Sequence, residues 1–164
     1  MGIEELDDLL DKFDSRNKKR SEGHDVVMTD EEAFIAEFET ARKNVIKPTL
    51  VKLGDQIKTR GHNYAMREGE FKRAYGSRPL PDEAFIRMQI YLSNEGPPEF
   101  GDDDRRAYIM FKTNFRNRKV EMVVSDLTAT GGETGKEGEF MVNQFTPMFV
   151  QEKFVHLFRK LSKK

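Results

Sequence analysis

Residues 29–61 read TDEEAFIAEFETARKNVIKPTLVKLGDQIKTRG, and this stretch decides the fold. Thr29 followed by Glu32 forms a capping box, and Asp30, Glu31 and Glu32 favour the positive end of a helix dipole. Phe34, Ile35, Phe38, Ala41, Val45, Ile46, Leu50, Leu53 and Ile57 then recur in steps of three and four. That spacing puts them on one side of a 3.6-residue period. Glu37, Lys43, Lys47, Lys52, Asp55 and Lys58 fall largely outside the stripe, and Gly61 is a left-handed stop. The spacing predicts one long amphipathic helix.

Pro48 conflicts with that helix. It removes an N–H donor and its ring meets the carbonyl of Asn44, so a kink or break is expected there. The stripe keeps its phase across Pro48, which favours the kink. Gly54 is a second soft point. An unbroken helix of about 31 residues would span about 45 Å, against about 26 Å for a strand of ~8 residues. The surplus apolar stripe then needs a cover, from a terminal helix or a second chain.

Downstream the period changes to two. Tyr64 and Met66 suggest a first strand over 62–67. Residues 68–82, with two glycines and two prolines, read as irregular. Over 83–93, Ile86, Met88, Ile90 and Leu92 alternate with Arg87, Gln89 and Tyr91. Over 107–115, Ile109, Phe111 and Phe115 oppose Tyr108, Met110 and Lys112. Arg116-Asn-Arg118 is a tight turn into Val120, Met122 and Val124, which predicts an antiparallel hairpin. Residues 130–138 are glycine-rich and read as a flexible connection before a short strand around Phe140 and Val142. Thr146-Pro147 opens a final helix striped by Val150, Phe154, Leu157, Phe158 and Leu161.

Strands that follow one another without intervening helices pair antiparallel. The expected architecture is α+β: an antiparallel sheet of four to five strands, with the long helix and the C-terminal helix on one face, in two layers. The other face, carrying Tyr91, Tyr108 and Met110, is left solvated or open to a ligand.

Ahead of this domain, residues 1–14 place Ile3, Leu6, Leu9, Leu10 and Phe13 at helical spacing among six acids and one lysine. A helix this short is marginal alone and must dock, on its own domain or in a partner's groove. Arg16, Lys18, Lys19 and Arg20 follow in what reads as a solvated linker. The expected division is residues 1–25, acidic helix plus basic linker, and residues 26–164, a single α+β domain.

The chain has 164 residues, 35% charged and 37% hydrophobic, with a net charge of −1. No run reaches the ~18 apolar residues of a membrane span, and no basic segment leads into an apolar core at the N-terminus. These features predict a soluble, cytoplasmic protein with no membrane association. The absence of cysteine excludes disulfides, thiolate nucleophiles and cysteine-ligated metals.

The sequence carries few marks of chemistry. Gly135-Lys136 lacks the first glycine and the Ser/Thr of a phosphate-binding loop. Asp102, Asp103 and Asp104 lack calcium-loop spacing. His24, His62 and His156 form no pair at metal-ligand spacing. No catalytic residue, cofactor or metal is assigned, and nothing marks the chain as an enzyme. What is left is a non-catalytic protein-interaction or assembly module, through a protein partner or self-association, with Ile3, Leu6, Leu9, Leu10 and Phe13 as the contact residues. The alternative is RNA or single-stranded nucleic acid on the open sheet face, through Tyr108, Lys112, Arg116, Arg118 and Lys119. An enzyme with an unrecognised pocket is the third reading.

Overall fold

A computed structural model of the chain describes residues 30–74, 76–77, 80–95, 106–128 and 131–163. The expected N-terminal helix, the basic linker, Thr29 and the acidic loop at 99–105 lie outside the described residues. So does the expected boundary between residues 25 and 26.

The long helix is continuous but not uniform. It runs as α1 (Asp30–Ala41), a π turn (Arg42–Ile46) and α2 (Lys47–Lys58). The Lys47 N–H donates to the carbonyl of Arg42, which closes the wide turn. This turn lies directly upstream of Pro48, whose ring would strike the Asn44 carbonyl in an α register. The extra residue of a π turn moves that carbonyl out of register. Gly61 ends the helix at φ +88°, its N–H donating to Lys58 O at 3.0 Å. Gly54 is a close-approach site: a Cβ there would lie 2.4 Å from the Tyr64 ring.

Five antiparallel strands follow as a meander, in the order β1-β2-β3-β4-β5: β1 (Asn63–Gly69), β2 (Phe85–Tyr91), β3 (Ala107–Asn114), β4 (Lys119–Ser125) and β5 (Thr134–Phe140). The pairings Met88↔Ile109 and Ile109↔Val124 carry one apolar row across the central strands, and Ile86↔Phe111 and Phe111↔Met122 carry the next. These residues meet Phe38, Ile46, Leu50 and Ile57 of the long helix in a single core. α3 (Pro147–Ser162) completes it with Val150, Phe154 and Leu157. α3 packs on α2 and on β3, so it covers part of the surplus stripe of the long helix. The fold is α+β, one antiparallel sheet with the two helical elements on one face.

Three expectations change. Residues 134–138, read as flexible, form most of β5, because an edge strand pairs through its backbone and needs no apolar alternation. Val142 belongs to a 3-10 turn (Val142–Gln144) and not to a strand. The second sheet face is also less open than its composition suggests. Gln89, Tyr91, Tyr108 and Ser125 are buried there. The Arg87 guanidinium lies 3.8 Å from the centre of the Tyr108 ring, and Arg106 lies over Tyr91 at 5.5 Å. These contacts combine cation–π attraction with apolar cover from the arginine stems.

Candidate functional site

A concavity lies where the front of the long helix faces two loops. α1 supplies Glu31, Glu32, Ile35, Ala36 and Glu39. The connection after β1 supplies Phe71, Arg73 and Ala74, and the β3–β4 turn supplies Phe115. The cavity measures about 530 Å³, within the range of ~300–1,000 Å³ usual for ligand sites.

Each wall has a local cause. Glu31, Ile35 and Glu39 are spaced by four, so they stand above one another on one helix face. Phe71 and Phe115 come from separate loops, and their rings meet at 5.2 Å, tilted by 48°. Glu83 fixes the second loop: its carboxylate accepts from the Phe115 N–H at 3.2 Å and from the Thr113 hydroxyl at 2.8 Å. The Lys72↔Asp82 bridge closes the base of the first loop. Two ion pairs tie the loops to the helix, Arg73 to Glu32 and Arg118 to Asp30. Arg118 reaches Asp30 from a left-handed backbone at φ +57°.

The result is an apolar floor between two acidic edges. Arg73 is engaged by Glu32, whereas Glu31 and Glu39 have no hydrogen-bond or ion-pair partner among the described residues. Carboxylates beside a half-buried phenylalanine pair favour a ligand that is apolar in its middle and cationic at its ends.

A second polar cluster sits at the far edge of the sheet. β5 carries a bulge between the pairs Met122↔Gly138 and Val123↔Lys136, which leaves Glu137 unpaired in the ladder and turned toward α3. Its carboxylate accepts from Lys160 and lies 3.1 Å from His156 Nε2. Lys160 first, then His156, hold the Glu137 carboxyl below its ordinary range, against a smaller opposing effect of burial.

The residues singled out by sequence are scattered. Ile3, Leu6, Leu9, Leu10 and Phe13 lie outside the described residues. Tyr108 is 8% exposed, beneath Arg87. Lys112 is half-buried and faces Glu121 across β3 and β4. Arg116 and Lys119 are exposed at the hairpin turn, and Arg118 is engaged by Asp30. His62 Nδ1 accepts from the Ser93 N–H at 3.1 Å, a structural contact between the helix end and the end of β2. Among the described residues no group of three His, Asp or Glu side chains has metal-binding geometry, and no helix is long and apolar enough to cross a membrane.

Sequence reasoning did not find Phe71 or Phe115 as a pair, nor Arg42. Phe71 lies in an irregular segment, and Phe115, which alternation over 107–115 assigned to the strand, instead sits in the turn after β3, so only the tertiary fold joins them. Arg42 did leave a signal: it falls four residues after Phe38 and four before Ile46, on the buried stripe. The chain matches no protein-family model, no curated protein and no solved structure.

Proposed function

We propose that the chain is a protein-interaction module whose groove between α1 and the Phe71–Phe115 pair receives an amphipathic, lysine- or arginine-bearing peptide segment. The observation that carries this reading is the charge pattern. Glu31 and Glu39 flank Ile35 by one turn on either side and have no partner among the described residues, while the floor between them is apolar. An apolar anchor on Phe71 and Phe115 would bring flanking cations to the two glutamates.

Nucleic acid is the second reading. Arg116 and Lys119 remain exposed in its favour, but its stacking ring, Tyr108, is buried. An acidic groove also repels a phosphate backbone.

The test uses a fluorescein-labelled amphipathic helix of leucine and lysine, with a leucine and glutamate helix as control. Fluorescence anisotropy should register saturable binding of the first peptide only, weakening with salt. The pair Glu31→Lys and Glu39→Lys should weaken it by about tenfold or more, equivalent to ~1.4 kcal/mol. Equal binding of both peptides, or indifference to the two substitutions, would exclude this groove. If deleting residues 1–25 tightens peptide binding severalfold, the chain's own basic run at 16–20 is a competing occupant.

A further inference from the structure

α3 buries one stripe and leaves another uncovered. Val150, Phe154 and Leu157 face the core. On the outer side Met148, Gln151, Glu152, Val155 and Arg159 line a shallow depression of about 200 Å³. Met148 is 71% exposed and Val155 38% exposed, which makes them two of four large apolar side chains left in solvent among the described residues. They are seven residues apart and share one helix face. Glu152 precedes Val155 by three positions and Arg159 follows it by four, and neither has a hydrogen-bond or ion-pair partner among the described residues.

We infer that this face is a twofold interface between two copies of the chain, with their C-terminal helices packed antiparallel across Val155. The charge order selects both the occupant and the direction. In an antiparallel pair, a residue three positions before the axis faces the one three positions after it. Glu152 therefore falls one residue, about 1.5 Å along the axis, from Arg159 of the second copy. A twofold interface is isologous, so this contact is made twice. A parallel pair would set Glu152 against Glu152 and Arg159 against Arg159.

The apolar residues fit the same arrangement. Val155 meets Val155 at the axis, and Met148 reaches the end of the partner helix near Ser162, where its unbranched side chain adapts to the local shape. His156 and Lys160 are engaged by Glu137 of β5. This interface is separate from the α1 groove and does not depend on it. One helix stripe covers less than the ~800 Å² per partner of a standard interface, so the association is weak and concentration-dependent.

The test is analytical ultracentrifugation of the full chain over a wide concentration range. The mass should rise from 19.1 kDa toward twice that value. Glu152→Arg alone and Arg159→Glu alone should each weaken association by about tenfold or more, because each sets like charges together at both ends of the interface. The double variant Glu152→Arg/Arg159→Glu should restore it, since the reversed charges still meet across the twofold axis. Both substituted positions are exposed, and melting temperatures matching the parent confirm intact folding. A mass of 19.1 kDa at every concentration overturns the inference. So does a dimer indifferent to the single reversals, or a double variant that stays monomeric.

Discussion

Arg42 Nη1 donates to the carbonyl oxygen of Gly69 at 2.8 Å. The same nitrogen reaches Phe85 O at 3.1 Å, and Nη2 donates to Glu70 at 2.8 Å. Gly69 and Phe85 are the last register pair of β1 and β2, so the arginine pins the π turn of the long helix to the loop end of that hairpin. Arg42 is 6% exposed, and its contacts tie the helix to the sheet edge.

Arg42→Ala should therefore cost about 2–4 kcal/mol, since it strands two backbone carbonyls and removes a buried, bonded cation. Most of that loss belongs to the carbonyl contacts, because Glu70 is largely exposed and its pairing is screened. Arg42→Lys should recover only part, as an ammonium cannot reproduce the planar fork. Urea unfolding measures both; a loss below about 0.5 kcal/mol for the alanine variant would contradict this role.

Gly54 makes the opposite kind of prediction from the one its type suggests. Glycine to alanine inside a helix ordinarily stabilises by about 1 kcal/mol. Here the new methyl would collide with the Tyr64 ring, whose hydroxyl is held by Asp55 at 3.0 Å. Gly54→Ala should instead destabilise by roughly 1–3 kcal/mol. In a Tyr64→Ala background the same change should become neutral or stabilising. The coupling in that double-mutant cycle is the measured quantity, and additivity would show that the ring does not occupy the gap.

Glu137 sets a pH dependence. Its folded carboxyl titrates below the ordinary value of 4.5, chiefly through Lys160 and then through His156. Folded protein then binds fewer protons at this site than unfolded protein, so stability rises with pH across the window between the two values. The contribution is complete above the unfolded value and is lost as pH falls through the lower, folded one. It should be at most about 1 kcal/mol, given partial exposure. The stability difference between the parent and Glu137→Gln should be flat near neutrality and shrink below about pH 4.5. A difference that persists unchanged into strong acid would assign it to shape instead of charge.

The elements that were legible in the sequence are those whose cause is local. Gly61 stops the helix, Thr146 caps α3 by accepting from the Phe149 N–H, and alternation in β2, β3 and β4 assigns their faces. The π turn was half legible: Pro48 announces a disturbance, but a kink, a break and a wide turn would all absorb it. β5 was hidden because its pairing is carried by backbone groups and two glycines, Gly135 and Gly138. Burial of Tyr108 depends on Arg87, its diagonal neighbour on the adjacent strand, and no pattern along one strand records that contact. The groove is the least legible feature, since it joins a helix face to two loops that share no periodicity.

The most direct test of the proposed function is an amide-resolved NMR titration of the full chain with the leucine and lysine peptide. Shifts should concentrate on Glu31 to Glu39, on Phe71 to Ala74 and around Phe115. Shifts confined to the opposite sheet face near Gln89 and Tyr108, or none at peptide concentrations that saturate anisotropy, would contradict it.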